Sequence, residues 1–210
     1  MKHYPSIDFN TESVPITAFI KYDGSNICVE WSKKQGFCKF GTRKNLFDHT
    51  SRYFADVIPL FYELWASQLE AAMRHKDLKN FREITFYFEY LGAKTFAGHH
   101  QINDPKTLIL IDVNPLKKGI LHTRAFLDMF GHLDQVAEIA YRGMWNKDFE
   151  ERVHNNDPIL MSNYAIKQPI PEGVICKWGE GHKLRMAKIK TRAWKEELKI
   201  RHPNDWQQFL

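Results

Sequence analysis

Ile20-Lys21-Tyr22-Asp23-Gly24-Ser25-Asn26 is the stretch from which the organisation of this chain is predicted. The apolar run 16–20 before it is typical of a β-strand, its Asp-Gly pair is a turn signal, and the run 26–31 is typical of a returning strand. The pattern predicts a hairpin with a lysine at its mouth, where Phe19, Lys21 and Asp23 share one face. A lysine beside a carboxylate at the end of a buried strand is a candidate covalent nucleophile. On this stretch alone, an ordinary surface hairpin is the simpler interpretation.

Composition limits the class of protein. The chain has 210 residues, of which 43% are hydrophobic and 14% aromatic, enough for one domain with a sizeable core. A formal net charge of +5 suits a polyanionic partner such as a nucleic acid. The three cysteines form no Cys-x-x-Cys pair, and no run has the length of a signal peptide or a transmembrane helix. These features predict an intracellular protein, of a cell or a virus-infected cell, that does not enter a membrane.

The periodicity of apolar residues predicts a mixture of strands and helices. Residues 108–111 are all apolar and lead to Asp112, which predicts a central strand over 108–113. The segment 148–163 is polar and poorly patterned, and the His99-His100 pair in the loop 92–106 has no supporting ligand at metal-binding spacing. Predicted strands cover 37–42, 84–91, 108–113, 174–178 and 184–189; predicted helices cover 51–79 (with Pro59 as a kink), 123–130, 133–142 and 191–200.

The lysine stretch gains meaning from the motifs that follow it. Lys21-Tyr22-Asp23-Gly24 resembles the Lys-x-Asp-Gly motif of the covalent nucleotidyltransferases, which include ATP-dependent DNA ligases, RNA ligases and mRNA-capping enzymes. Each further motif is weak alone, but their order along the chain matches the order in that family. They are Phe88-Glu89-Tyr90, Leu108-Ile109-Leu110-Ile111-Asp112-Val113, Glu172-Gly173-Val174-Ile175-Cys176-Lys177 and Lys188-Ile189-Lys190.

The resemblance implies an α+β fold in which antiparallel β-sheets, flanked by helices, enclose a nucleotide cleft. DNA ligases and capping enzymes of the family carry an OB-fold domain after the last motif, and few residues follow Lys190 here. We therefore expect residues 1–210 to form a single nucleotidyltransferase (adenylation) domain without an OB-fold domain, acting as a monomer. Residues 1–15 resemble the irregular segment that precedes the nucleophile strand in RNA ligases.

The chemistry requires a neutral amine at Lys21, whose ordinary pKa is about 10.4. Burial and nearby cations would lower that pKa, and the same cations would stabilise the phosphoryl transition state. Lys188 and Lys190 lie two residues apart on a predicted strand, so both point to one face. Such a pair is costly without an anion between its members, which favours a bound phosphate over the alternative of a charged edge strand.

The nucleotide and metal ligands follow from the resemblance. The expected metal is Mg²⁺, with Mn²⁺ as an alternative. Mg²⁺ prefers oxygen ligands, and the candidate metal ligands are Glu172 and Asp23. Glu89 would face the ribose hydroxyls or the metal shell. The residues expected to contact ATP are Asp23, Gly24, Asn26, Arg43, Glu89, Ile111, Lys177, Lys188 and Lys190.

Three positions bear on the substrate. Asn26 matches RNA ligases of the ligase-2 type, whereas DNA ligases usually carry arginine there. Ile111 stands where the family often has an aromatic residue stacked on the base, and Ile20 where RNA ligases often have glutamate, so the base preference is left open. The leading prediction is an ATP-dependent RNA ligase that joins 5′-phosphate and 3′-hydroxyl ends through a lysyl-AMP. The alternatives are a minimal DNA ligase and, from another class, a non-catalytic module that binds nucleic-acid ends.

Overall fold

The computed structural model describes residues 1–4, 13–76, 78–92, 105–161, 171–179 and 183–209. Most of the segment predicted to lead into the first strand lies outside these residues. So do most of the loop 92–106, with His99 and His100, and the centre of the turn predicted between the last two strands. The predicted α+β class is confirmed, because the described strands form two antiparallel sheets with helices packed against them.

A four-stranded sheet carries the first strand of the chain. Its strand order is β7-β1-β8-β9, and every neighbouring pair is antiparallel. The strands are β1 (Pro15–Lys21), β7 (Ile139–Met144), β8 (Gly173–Trp178) and β9 (Arg185–Lys190).

A five-stranded sheet contains the remaining strands in the order β4-β3-β2-β5-β6, again antiparallel throughout. The strands are β2 (Ser25–Ser32), β3 (Gly36–Thr42), β4 (Leu46–Phe47), β5 (Glu83–Leu91) and β6 (Thr107–Pro115). A core of aromatic and aliphatic side chains lies between this sheet and the helices of residues 57–72 and 123–130.

The helices are short. They are α1 (Val57–Phe61), a π-helical turn (Tyr62–Ala66), α2 (Ser67–Ala72), α3 (Thr123–Phe130), α4 (Lys147–His154), α5 (Pro158–Met161), α6 (Arg192–Arg201) and a 3₁₀ turn (Trp206–Phe209). Of the helix predicted over 51–79, only residues 57–72 are helical. Pro59 lies in its first turn, where proline is tolerated, and the irregularity comes later, at the π turn. The apolar stripe of this segment is buried core, as predicted.

The predicted hairpin of β1 and β2 is wrong. β1 pairs with β7 and β8, whereas β2 pairs with β3 and β5, so the Asp23-Gly24 turn carries the chain from one sheet to the other. A local turn signal cannot show that each strand finds longer-range partners on both sides, which bury more apolar surface than a two-stranded ribbon would.

Two other expectations are corrected. The helix predicted over 133–142 is wrong: residues 133–138 form turns and an isolated β-bridge, and residues 139–144 form strand β7, because pairing with β1 outweighs local propensity. β6 is an edge strand of its sheet rather than a central one, and helices cover the apolar side chains on one of its faces. Its backbone also bonds to the segment after α3: the Leu110 N–H donates to the Gln135 carbonyl oxygen, and the Ala137 N–H donates to the Leu110 carbonyl oxygen. The polar segment from 148 contains helix α4, capped by the Asn146 side chain.

Candidate active site

A cavity of about 530 Å³ opens between the two sheets. β1, β8 and β9 line one side of it, and β2, β5 and β6 line the other. Every residue that the sequence singled out for the site lines this cavity. They are Lys21, Asp23, Gly24, Asn26, Arg43, Glu89, Ile111, Glu172, Lys177, Lys188 and Lys190.

One carboxylate holds two lysines at the centre of the cavity. The Glu172 carboxylate accepts from Lys21 Nζ at 2.8 Å through Oε2 and lies 2.9 Å from Lys190 Nζ through Oε1. The Glu172 and Lys190 side chains are almost fully buried, while that of Lys21 is 22% exposed. The candidate nucleophile is therefore the member of this trio that a ligand in the cavity can reach most easily.

Strand register explains why these three side chains meet. Lys21 pairs with Gly173 across β1 and β8, and Gly173 pairs with Lys190 across β8 and β9. Gly173 has a φ of +147°, and a Cβ at this position would collide with the backbone of Ile189. Glycine therefore allows the chain to enter β8 between its two neighbours, with Glu172 directly before it.

The pKa of Lys21 differs from the expectation. Burial lowers the pKa of the Lys21 ammonium, but the carboxylates of Glu172, Glu89 and Asp23 outweigh burial and raise it above its ordinary value. The prediction that neighbouring cations lower the pKa of Lys21 is therefore wrong. The charged group closest to the Lys21 ammonium is the Glu172 carboxylate, which raises that pKa. Lys21 rests as an ammonium, so it could act as a nucleophile only after its pairing with Glu172 is broken.

Lys188 and Lys190 lie on the same face of β9, as their spacing predicts, and both line the cavity. Burial lowers the pKa of Lys190 to about 8, with Lys21 and Lys188 acting in the same direction and Glu172 opposing them. Lys190 also lies with its Nζ 3.9 Å from the centre of the Trp194 ring. The two lysines thus bring two cationic side chains to the same side of the cavity.

Glu89 and Asn26 face the cavity from the other sheet, as directly paired residues of β5 and β2. Burial raises the pKa of Glu89 to about 7, a rise that Lys21 opposes and that Glu172 and Asp23 reinforce. Gly24 packs against the same strand, since a Cβ there would lie 2.6 Å from the Tyr90 carbonyl oxygen and 2.7 Å from Glu89 Cγ. The turn between the sheets therefore has room only for glycine.

A buried ion pair forms one boundary of the cavity. Lys177 Nζ lies 2.6 Å from Asp112 Oδ1 and donates to the Ile111 carbonyl oxygen at 3.1 Å. The Tyr4 hydroxyl donates to the other oxygen of Asp112 at 2.5 Å. Sequence reasoning assigned Lys177 to the nucleotide, whereas here its charge is balanced by Asp112. The strand that carries Ile111 is thereby fixed to β8.

Several residues of the cavity were missed from the sequence. Tyr4, Phe19, Ile175 and Gln208 also line it, and Asp112 supports it from behind. Asp112 had a detectable signal, since it is a carboxylate that follows the apolar run 108–111 within a predicted strand. Tyr4 and Gln208 had no such signal in the sequence, because they reach the cavity only through contacts between distant parts of the chain. Arg43 follows the end of β3 at the rim, close enough to oppose the rise in the pKa of Glu89.

The donor set fits a Mg²⁺ ion that arrives with a triphosphate. Glu172, Glu89 and Asp23 bring carboxylate oxygens to one cavity, and both oxygens of Glu172 already bind cationic groups. Among the residues that the structure describes, no cluster of three or more His, Cys, Asp or Glu side chains is arranged to hold a metal alone. Mg²⁺ typically takes one or two protein carboxylates and completes its shell with phosphate and water.

Comparison with solved structures shows the fold. The protein superposes on the Naegleria gruberi RNA ligase with PPi at a TM-score of 0.61 and 13% identity, over 89% of this chain and 52% of the ligase. An archaeal ATP-dependent RNA ligase gives a TM-score of 0.61 at 15% identity, over 95% and 51% of the two chains. A mutant of the Naegleria ligase with ATP and Mn gives 0.57 at 13% identity. The chain therefore shares its fold with about half of each of these RNA ligases.

This chain spans about half the length of those structures. No family model matches its sequence, and a search of curated proteins finds no match. The likeness is thus one of fold, and the site described above carries the functional inference. Within the described ranges, no helix combines the length and apolar character needed to cross a membrane.

Proposed function

We propose that this protein is an ATP-dependent RNA ligase that joins 5′-phosphate and 3′-hydroxyl ends. The observation that carries the proposal is the trio of Lys21, Glu172 and Lys190, held by strand register at the centre of a cavity between two sheets. A lysine that must lose a proton, a carboxylate in contact with it and further cations around them are the parts that transfer of a nucleotidyl group to an amine requires.

The reaction has three steps with balanced chemistry. The Lys21 ammonium first loses one proton. Its neutral Nζ then attacks the α-phosphorus of ATP, a P–N bond forms, the bond to the β-phosphate oxygen breaks, and pyrophosphate leaves while Nζ loses a second proton. A 5′-phosphate oxygen of the nucleic acid then attacks the same phosphorus, a P–O–P linkage forms, the P–N bond breaks, and Lys21 Nζ takes up a proton as it leaves. Finally a 3′-hydroxyl attacks the 5′-phosphorus, forms the phosphodiester, gives up its proton and releases AMP.

The residues of the trio have distinct tasks in the first step. Glu172 holds the Lys21 ammonium near the α-phosphorus and is the nearest acceptor for its proton, at 2.8 Å. Phosphates entering beside Lys188 and Lys190 would compete for the cations that Glu172 now holds and would release it toward that task. Lysines fixed in advance stabilise the charge that develops on the departing phosphate without reorganisation.

Mg²⁺ would neutralise part of the triphosphate charge when bound, and Glu172 and Asp23 are the residues that would hold it. Asn26 and Glu89 are placed for the ribose hydroxyls, and Arg43 at the rim for the phosphates. Ile111 and Ile175 offer aliphatic surface for the base. We further propose that residues 1–210 form one nucleotidyltransferase domain and that its setting is intracellular.

The first test is covalent labelling. Incubation with α-labelled ATP and Mg²⁺ should label the protein through an acid-labile bond, and K21A should not be labelled. K33A, which removes an exposed lysine from the β2–β3 turn, is the matched control and should be labelled like the wild type. Equal labelling of K21A would show that the nucleophile is another residue, and labelling by GTP as fast as by ATP would favour a capping enzyme.

The second test separates RNA ligase from DNA ligase. Discrimination for RNA requires a contact to a 2′-hydroxyl near the joint, and Asn26 favours RNA. A pre-adenylated nick with ribonucleotides at its 3′-hydroxyl end should be sealed faster than the matched all-DNA nick. Sealing should also weaken steeply with salt, because binding through phosphate contacts releases counterions. If the all-DNA nick is sealed as fast, the minimal DNA ligase is the better assignment.

A non-catalytic module that binds nucleic-acid ends is the remaining alternative. It does not explain why a buried carboxylate is held between two lysines beside a cavity of nucleotide size. Such a module would bind 5′-phosphate ends and give no labelled protein with ATP, GTP or NAD.

A further inference from the structure

Helix α6 contributes to the site although it lies beyond the last sequence motif. Trp194 is fully buried in its first turn, and the face of its indole ring lies beneath Lys190, with Nζ 3.9 Å from the ring centre. Lys190 Nζ is in turn 2.9 Å from Glu172, which binds Lys21. A continuous series of contacts thus leads from α6 to the candidate nucleophile.

The position of Trp194 is fixed by the start of its helix. Thr191 is the N-cap of α6: its Oγ1 accepts from the Trp194 backbone N–H at 3.1 Å and donates to the Pro171 carbonyl oxygen at 2.7 Å. The Thr191 backbone N–H donates to the Glu172 carbonyl oxygen at 2.9 Å. The Thr191 cap therefore fixes the backbones of Trp194 and Glu172 relative to each other, and the Lys190 ammonium lies between their side chains.

The choice of tryptophan is informative. Across the described part of the chain, its indole Nε1 finds no hydrogen-bond acceptor although the atom is buried. An unsatisfied buried N–H is unfavourable, and a phenylalanine or leucine would fill the space without it. Tryptophan, however, offers the strongest aromatic face for a cation, above all where water is excluded.

We propose that Trp194 is a positioning residue, whose indole face holds the Lys190 ammonium against Glu172 and toward the phosphates of the bound nucleotide. This inference rests on the proposed function. It adds an aromatic support from α6 that no motif of the sequence indicates.

Three variants separate this role from simple packing. W194L removes the aromatic face and should lower the rate constant for lysyl-AMP formation at saturating ATP about tenfold, with little change in KM for ATP. W194F keeps a weaker face and should restore most of the rate. L198A is the matched control, because Leu198 is equally buried on α6 and packs in the same cluster; it should lower the melting temperature but keep the rate within about twofold.

A measurement without ATP tests the contact itself. A double-mutant cycle on unfolding, built from W194L, K190M and the double variant, should give a coupling of about threefold to tenfold in the unfolding equilibrium constant. If W194L does not fold, a difluorinated tryptophan placed only at position 194 keeps the shape, weakens the face and should slow labelling.

The outcomes distinguish the two proposals. If the wild type is not labelled by any nucleotide, the proposed function is wrong, and the unfolding cycle still decides whether Trp194 holds Lys190. If the wild type is labelled while W194L or the fluorinated protein reacts as fast as L198A, Trp194 is packing only. A coupling of zero in the cycle overturns the inference as well.

Discussion

Replacing Asp112 by alanine should cost the protein about 3–5 kcal/mol of folding free energy. The Asp112 and Lys177 side chains are 1% and 3% exposed, and their charged atoms are 2.6 Å apart. In D112A the Lys177 ammonium would keep the Ile111 carbonyl oxygen and the rings of Phe19 and Phe126 but would lose its counter-charge. The Tyr4 hydroxyl would also lose its hydrogen-bond acceptor, so we expect the loss of folding free energy to lie toward the upper end of that range.

The double variant D112A/K177M gives the magnitude of the coupling. Each single change leaves an uncompensated buried charge, whereas the double change leaves none, so we expect it to cost at least about 2 kcal/mol less than the sum of the two. The measurement is urea unfolding at pH 7, followed by the fluorescence of the six tryptophans.

An exposed ion pair of similar length provides the control. Lys106 and Asp56 are 2.5 Å apart, but their side chains are 43% and 45% exposed, so K106M should cost less than about 1 kcal/mol. The reasoning is refuted if D112A costs no more than K106M, or if the costs of D112A and K177M simply add. Either result would mean that water reaches the pair and screens it.

Two more predictions concern the opposite side of the cavity. E89Q should become more stable than the wild type as the pH rises from about 5 to about 7, by up to about 1 kcal/mol per pH unit. Burial raises the pKa of Glu89 to about 7 in the folded protein, so the stability that its protonated form contributes is lost over that range. Melting curves of both proteins test this, and parallel pH profiles would contradict it. G24A should destabilise the protein by about 1–3 kcal/mol and slow labelling, because the new methyl group meets the Tyr90 carbonyl oxygen and Glu89. Unchanged labelling by G24A would show that the turn can move away from β5 without disturbing the site.

The ordered motifs of the sequence name residues that the structure brings together around one cavity. Each motif lies at the end of a strand or on one face of it, and the alternation of side chains is a local property of the backbone. The spacing of Lys188 and Lys190 therefore predicted their common face, and the Glu172-Gly173 pair predicted a carboxylate at the start of a strand. Helix 123–130 was predicted in the same way, because the spacing of its apolar residues and the signals that end it lie within a short stretch of sequence.

The tertiary structure decided which strands pair and which charges meet. β1 lies between β7 and β8 rather than beside β2, and Glu172 binds Lys21 and Lys190 across 151 and 18 residues of sequence. These contacts form because the faces of both sheets become buried together. The residues that bury them are spread along the chain, so no short window of sequence predicts the contacts. For the same reason the resting charge of Lys21, the Asp112–Lys177 pair and the indole beneath Lys190 could not be predicted. A pKa or an ion pair is set by the groups that folding brings within a few ångströms, whatever their distance along the chain.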